Sequence, residues 1–578
     1  MIVGIDLGTT NSLCAVFQDG QPVIIPSSHG RSLTPSIVGV LDSGELLVGD
    51  AARDLRVTRP QHVASRFKRL MGTQETVSLH SKQLNAAELS SLVLKSLKQD
   101  AEAYLGEDVT DAVITVPAYF NELQRRATKL AGELAGLRVN RIINEPTAAA
   151  LAYGFHDRDA EKNLLVIDLG GGTFDVTMME VFEGTLEIIA SAGESTLGGE
   201  DFTDRLLGHV LQTMQMHLES AEIRLPLMVS RLRDECERAK RQLGNVEQID
   251  IRIPEDDGHF AESPRTVSIT TALFSEIVQP LLERVRRPIA RVLRDAGLSP
   301  DQVEDVILVG GATRMPVLKT CVREIFDQEP LCTHNPDEVV ALGAAIQAAL
   351  LSNDEAVQDI VMTDVCPFTL GVEITKHIGG HDVEGFFLPI IHRNTTLPVS
   401  AEEIVSTVRA NQREVVIRVY QGEHRKIEGN LSLGELRVTG IPPAPAGVPI
   451  RIRFTYDLNG LLEVEALVDS TGRKFSTVLT NHAQHLSKKE IEDAVSKLQD
   501  LKFYPRDEVE NQQLLRFSER VLGEISPQER QAFEEIIDSF EIAMASGDPS
   551  YFQQVRAFLL ERLSELGFPH DSGEGSAE

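Results

Sequence analysis

Two short runs in this chain place a carboxylate, glycines and hydroxyls at the end of an apolar strand. The first is I-V-G-I-D-L-G-T-T-N-S, with Asp6, Gly8, Thr9, Thr10 and Asn11. The second is L-L-V-I-D-L-G-G-G-T-F-D, with Asp168, Gly170, Gly171, Gly172, Thr173 and Asp175. Glycines let backbone N–H groups approach phosphate oxygens closely, and a carboxylate at a strand end can hold a hydrated magnesium ion. A single Gly-rich turn is ordinarily only a turn. Two copies, each a strand entering a glycine turn and leaving as a second strand (residues 12–17 and 176–181), predict a duplicated domain that clamps a nucleotide from both sides. The chain has no G-x-x-x-x-G-K-[ST] run, so this is not the P-loop solution to phosphate binding.

The elements that must position these turns alternate strand and helix from residue 1 to about 352, the pattern of an α/β domain. Residues 113–116 read as a strand, and after Pro117 a helix starts near Asn121. Residues 142–143 read as a strand, and E-P-T-A-A-A-L-A-Y-G opens a helix with Pro146 in its first turn. Residues 306–309 lead into Gly310 and Gly311, and 339–351 read as an Ala-rich helix. Residues 352–363 are polar and acidic around Ile360, Val361 and Met362, as in an interdomain linker. From Asp364 to about 480 the pattern becomes all-β. Ile450, Ile452, Phe454 and Tyr456 alternate with polar residues, Asn459-Gly460 makes a turn, and Leu462, Val464, Ala466 and Val468 alternate on the way back. Residues 405–409 and 415–419 read as a further hairpin, and the whole as a sandwich. Ser487 and Glu490 form a capping box that restarts helix, broken at Pro505, Pro527 and Gly547-Asp548-Pro549. The residues from Gly567 on read as disordered.

Composition narrows the functional classes. The 578 residues exceed one core, and 42% apolar with 25% charged residues is ordinary for a soluble globular protein. A formal charge of −31 argues against nucleic acid or an anionic membrane as main partner. The five cysteines, Cys14, Cys236, Cys321, Cys332 and Cys366, have no C-x-x-C spacing and read as buried thiols in a cytoplasmic protein. Met1 leads directly into a strand, leaving no room for a signal peptide, and no apolar run approaches the roughly 18 residues of a membrane span. His377, His381, His482 and His485 lack the carboxylate or thiol neighbours of a metal site.

The ordered set G-I-D-L-G-T-T-N-S, V-P-A-Y-F, I-I-N-E-P-T-A-A-A-L-A-Y-G, D-L-G-G-G-T-F-D, L-G-G-E-D-F and E-R-A-K-R resembles the seventy-kilodalton heat-shock chaperone family, DnaK-like, over essentially the whole chain. The shorter HscC branch looks nearest. The resemblance implies a multidomain α/β + all-β + α architecture. An actin-like duplicated ATPase domain would span 1–352, a linker 353–364, a β-sandwich peptide-binding domain 365–486, a shortened helical lid 487–566 and a tail 567–578. It implies an ATP-dependent chaperone that couples hydrolysis to binding and release of exposed hydrophobic segments of unfolded clients. ATP/ADP and Mg2+ would be the cofactors, with K+ a further candidate. A J-domain co-chaperone would be a partner.

By that resemblance Asp6 and Asp168 hold magnesium through water. The phosphates meet Gly8, Thr9, Thr10, Asn11, Gly170, Gly171, Gly172 and Thr173. Lys68 places a cation beside the γ-phosphate, and Glu145 and Asp175 orient the attacking water; Thr173 belongs to the same catalytic set. Adenosine lies between Arg241 and Arg314, with Glu237 and Lys240 at the ribose and Gly244, Gly310, Gly311 and Asp337 completing the pocket. Pro117, Arg125, Arg141 and Asp364 relay nucleotide state and face the J-domain. Val372, Val405, Val415 and Ile417 wall a peptide pocket arched over by Thr375 and Val408; plain sandwich core predicts the same alternation.

Five departures stand out. The lobe between Gly72 and Asn85 and the insertion between Ile253 and Thr266 are short, which puts the usual nucleotide-exchange factor in doubt. Gly244 stands where the family commonly has Ser. Thr363 replaces the last apolar residue of the linker, which would weaken its docking. Val405 stands where the family usually has Phe, widening the central pocket. A sugar or acetate kinase and a filament-forming actin relative share the duplicated fold, but would lack the linker, sandwich and lid.

Overall fold

Apolar strands that end in glycine turns recur here as two sheets built to one plan. In the first, β1 (Ile2–Asp6) runs antiparallel into β2 (Asn11–Gln18) and β3 (Gln21–Ile25), while β4 (Asp111–Val116) and β5 (Arg138–Asn144) join its other side in parallel. In the second, β6 (Lys162–Leu169) runs antiparallel into β7 (Phe174–Phe182) and β8 (Thr185–Glu194), and β9 (Asp305–Val309) lies parallel beyond β6. A parallel bridge from Ile307 to Leu331 stands where the first sheet has β5. β4 is buried along its whole length, which is why it reads as an unbroken apolar run and not as an alternation. The computed structural model describes residues 1–79, 82–154, 162–182, 185–331, 334–357, 361–457, 460, 462–479, 509–522, 525–546, 549–566 and 568. Two compact units, Met1–Pro367 and Phe368–Glu578, divide the chain.

The helices fix how the sheets meet the cleft. α1 (Glu122–Leu134) starts on a reciprocal capping box between Asn121 and Gln124. α2 (Glu145–Gly154) follows β5 directly, with Pro146 in its first turn. α3 (Gly199–Thr213) and α4 (Pro226–Gln242) follow the second sheet, and α5 (Val339–Leu351) closes the unit. α2 and α5 touch through small residues: a Cβ on Gly343 would overlap the carbonyl of Ala148. This contact seats Ala148, Leu151, Val340 and Ala344 in one core with Val166, Ile188 and Val309.

The linker differs from a free tether. β10 (Val361–Met362) pairs in parallel with Thr185 and Leu186 on the edge of β8, and the N–H of Thr363 donates to Leu186 O at 3.0 Å. These residues belong to the first compact unit; Ile360 lies outside the described residues.

The second unit holds two four-stranded sheets. One has the order β12-β11-β14-β15, the other β13-β16-β17-β18. Their strands are β11 (Leu370–Ile378), β12 (His381–Ile391), β13 (Val399–Ser406), β14 (Glu414–Gln421), β15 (Leu431–Thr439), β16 (Pro449–Tyr456), β17 (Leu462–Val468) and β18 (Arg473–Leu479). The alternation read over 450–468 is the β16–β17 pairing, and its apolar members are buried; Asn459 lies outside the described residues. The hairpin read over 405–419 is not formed. β13 pairs with β16, and β14 pairs with β11 and β15, so the chain crosses between sheets there. Ile417 and Val419 are buried on β14, while Val405 is half-buried and Val408 exposed, so the two apolar patterns do not meet as one hairpin face.

Further on, α6 (Val509–Val521), α7 (Pro527–Ser546) and α8 (Pro549–Glu565) share a core of Leu514, Val521, Phe533, Phe540, Phe552 and Leu559. The breaks read at Pro527 and Pro549 are helix starts. The capping box at Ser487 and Glu490, His482, His485, Pro505, Gly547, Asp548, Cys332 and the tail from Gly567 apart from Phe568 lie outside the described residues. Phe568 packs on the helical core and its N–H donates to Leu563 O at 2.9 Å, so order runs one residue into the segment read as disordered.

Candidate functional site

Strand ends bring four carboxylates and one ammonium together. Asp6 ends β1, Asp168 lies near the end of β6, Asp175 near the start of β7, and Glu145 begins α2. Asp168 and Asp175 are register partners, a like-charge placement that destabilises a sheet. Lys68, in a four-residue turn Phe67–Leu70, sits 2.7 Å from Glu145 and is 3% exposed. Its ammonium lies 5.5 Å from the centre of the Phe120 ring. Asp175 accepts a hydrogen bond from the Tyr119 N–H at 3.0 Å, and Asp6 accepts one from the Thr115 hydroxyl at 3.2 Å.

This crowding shows in the proton affinities. Burial and then Glu145 push Asp6 up to about 7, against the pull of Lys68. Burial and Glu145 likewise push Asp175 up to about 7. Asp168 lies well above the usual carboxylate range, through burial and then the charges of Glu145, Asp175 and Asp6. Such an excess of buried negative charge suits a divalent cation. Among the described residues no group of three His, Cys, Asp or Glu side chains could grip a metal directly, so the donor set fits an ion held through water.

Above this floor is a cleft of about 630 Å³, within the range of small-molecule sites. Asp6, Gly8, Thr9, Thr10, Asn11, Lys68, Glu145, Asp168, Gly170, Gly171 and Thr173 line it. A Cβ on Gly171 would overlap the Thr10 hydroxyl, so the two glycine turns face each other at contact. Gly172 and Asp175 are not on the lining; they stand behind it. The same cleft takes in Glu237, Lys240, Arg241, Gly244, Gly310, Gly311, Arg314 and Asp337. Glu237 is held by Lys240 at 2.6 Å, by Arg241 at 2.7 Å and by the Thr203 hydroxyl at 2.6 Å. Burial opposes its ionisation, but Lys240 and these partners outweigh it and hold the carboxyl at about 2. Arg314 is pinned by Asp337 at 2.8 Å and by Asn335 at 2.7 Å.

Sequence reasoning missed the arginines that cross the cleft. Arg56 reaches Asp234 at 2.5 Å, Arg66 reaches Asp204 at 2.7 Å and also pairs with Glu200, and Arg69 pairs with Asp201. Their partners lie on α3 and α4, 132 to 178 residues away. No local pattern signals such pairs.

Of the relay residues, Arg125 and Asp364 meet through Asn144, which was not singled out. Arg125 donates to the Asn144 side-chain oxygen at 2.6 Å, and the Asn144 amide donates to both oxygens of Asp364 at 3.0 and 2.9 Å. Arg125 also grips the carbonyls of Ala118 and Phe120, just past Pro117. Burial raises the Asp364 proton affinity, while Arg125 and Arg141 oppose that. Asn144 directly precedes Glu145, and that adjacency in I-I-N-E-P was the available signal.

The residues expected to wall a peptide pocket are graded from core to surface. Val372 and Ile417 are 1% and 2% exposed, on neighbouring strands β11 and β14. Val405, Val415 and Thr375 are half-buried, and Val408 is 42% exposed. Val405 belongs to the other sheet, on β13.

The chain matches the family model described as Hsp70 protein over residues 2–539. It is similar to the chaperone protein DnaK of Thermotoga petrophila, Thermotoga maritima and Thermotoga neapolitana. Each is 45% identical over 508 residues, covering 85% of this chain and 83% of the relative.

Proposed function

The chain belongs to the Hsp70 family and is an ATP-dependent chaperone of the DnaK type, and from that premise we propose which residues carry hydrolysis and coupling. ATP is hydrolysed to ADP and phosphate, and the energy serves the binding and release of unfolded polypeptide. The observation that carries the site assignment is the buried Lys68–Glu145 pair beside Asp6, Asp168 and Asp175, opening on one cleft.

Lys68 neutralises charge that develops on the γ-phosphate, and Glu145 holds the ammonium in place. Glu145 and Asp175 orient the attacking water, with Asp175 fixed by the Tyr119 N–H. Gly8 to Asn11 and Gly170 to Thr173 offer N–H and hydroxyl donors to the phosphates. Asp6 and Asp168 would hold a hydrated Mg2+, which would supply charge neutralisation for the phosphates; K+ would act in the same way. Phosphoryl transfer asks mostly for positioning and electrostatics, so a site without a strong base suits a slow, switch-like hydrolase. Arg241 and Arg314 stack on adenine, and Glu237 and Lys240 meet the ribose.

The duplicated sheets with α2 and α5 between them support an actin-like ATPase domain over 1–352. The two-sheet sandwich and the bundle of α6 to α8 support a peptide-binding domain and a lid. Val372, Val405, Val415 and Ile417 would hold a client side chain, under Thr375 and Val408. Pro117, Arg125, Arg141 and Asp364 form the relay and the J-domain surface, with Asn144 as its middle link. The short stretches after Gly72 and Ile253 favour the HscC branch. Cys14, Cys236, Cys321 and Cys366 are buried, which supports a reducing, cytoplasmic setting. Among the described residues no helix is long and apolar enough to cross a membrane.

The test is Lys68→Ala. Hydrolysis in a single turnover is expected to be abolished while nucleotide affinity stays near wild type, because the cation acts mainly in the transition state. Hydrolysis near the wild-type rate would refute the assignment.

A further inference from the structure

Arg66 stands out on two independent counts. It lies two residues before Lys68, in the left-handed backbone region at φ 61° and ψ 10°, and it starts the short turn that presents Lys68. Its side chain lines the cleft and reaches across it to α3. There Nη1 and Nη2 donate to the two oxygens of Asp204 at 2.7 and 3.3 Å, and the guanidinium also pairs with Glu200.

The far side of this contact is itself fixed. Asp204 accepts from Arg233 Nε at 3.0 Å, and Arg233 is held by Glu222 at 2.7 Å. Burial works against the Asp204 charge, yet the two arginines keep its carboxyl below the usual range. Glu200 accepts from the Thr10 hydroxyl at 3.1 Å, so it touches the first phosphate turn. Left-handed backbone is uncommon for a side chain such as arginine and persists where its surroundings over-determine it. Here the surroundings are a bidentate fork on α3.

We propose that Arg66 is a positioning residue, which ties closure of the cleft to the placement of Lys68. With the cleft closed, Asp204 and Glu200 hold the guanidinium. The held guanidinium keeps the backbone of Arg66 in its strained form, and that backbone aims Lys68 at Glu145 and the γ-phosphate. With the cleft open, the fork is lost and Lys68 loses its aim. Hydrolysis is thereby confined to the closed form.

This inference rests on the reading of Lys68 as the γ-phosphate cation, so Lys68→Ala belongs in the same assay. Single-turnover hydrolysis at saturating ATP and Mg2+ is measured for Arg66→Met, Asp204→Asn and the double variant, together with ATP affinity and ADP release. Each single variant is expected to lower the saturated rate by about tenfold, as a small misplacement of a catalytic group does. The double variant is expected to be no slower than the slower single, since both break one contact. Arg66→Lys is expected to recover part of the rate, and ATP affinity should change little. If Arg66→Met does not fold, the near-isosteric Asp204→Asn and Arg66→Lys carry the same comparison. An unchanged saturated rate with only faster ADP release would make Arg66 a strut and overturn the proposal, as would additive losses in the double variant. A normal rate in Lys68→Ala would instead remove the reading on which the proposal stands.

Discussion

Asp168 and Asp175 face each other across a hairpin, and Asp6 and Glu145 add two more charges to the same small volume. Cation-free, this arrangement costs stability, and the cost depends on pH. The folded state holds Asp6 and Asp175 near 7, whereas unfolded aspartate releases its proton near 3.8. Between those values the folded state binds more protons, so stability falls as pH rises through the window and levels off above it. Glu237, held at about 2 against 4.5 when unfolded, makes its opposite contribution below about pH 5, under the range scanned. In the presence of a chelator and without nucleotide, Tm is expected to drop from pH 5 to pH 8. Asp6→Asn should flatten that slope and raise Tm at pH 8, by about 1–2 °C for each 1 kcal/mol relieved in a unit of this size. Calorimetry across the pH series checks it, and an unchanged slope in the variant would sink the idea. At this scale the sequence was informative wherever a residue type recurs beside a strand and a glycine turn, as for Asp6 and Asp168. It was silent on Arg66, Asn144 and Thr203, whose roles come from partners far along the chain.

Single elements were legible when their burial pattern was local. The helix over 339–351 and the alternation over 450–468 are in that class, because one face meets one core. The supposed hairpin over 405–419 failed because alternation tells which face is buried and not which strand is the neighbour. β14 carries a test of the peptide site. Val415→Phe is expected to block client binding while the sandwich stays folded, at about 1–3 kcal/mol of stability from overpacking. Fluorescence polarisation with a leucine-rich peptide and circular dichroism report the two halves; full affinity in a folded variant would move the site elsewhere. The linker strand carries another. The Thr363 hydroxyl is buried without a hydrogen-bond partner, although its backbone N–H is paired with Leu186. An unpaired buried hydroxyl costs about 1–3 kcal/mol, and valine keeps its shape. Thr363→Val is therefore expected to slow hydrogen exchange at Thr363 and to protect the linker from protease. Equal protection in both proteins would show that the hydroxyl is solvated.

Over the whole ATPase unit, two opposing influences act on nucleotide release. On the proposed adenosine site, the short stretches after Gly72 and Ile253, and Gly244 in place of a polar contact, would favour release without a dedicated exchange factor. The arginines that cross the cleft to Asp201, Asp204 and Asp234 favour retention. These pairs are partly open to solvent, and the screening length at 0.1 M salt is about 10 Å. ADP release is expected to quicken several-fold between low and high salt, measured by stopped flow with a fluorescent analogue; a salt-independent rate would remove the ionic pairs from the account. The remaining feature is how shallow the linker's seat is. β10 contributes two register pairs, Thr363 adds one hydrogen bond, and the Asn144 amide donates to both oxygens of Asp364. At a net worth of about 0.5–1.5 kcal/mol each, such bonds sum to only a few kcal/mol. Moving a two-state equilibrium from 1:99 to 99:1 takes about 5.5 kcal/mol. On the proposed relay, the seat is comparable with the energy that a bound nucleotide would have to supply to switch the linker, so both linker populations would stay within its reach. A strand twice as long would have latched the message in place.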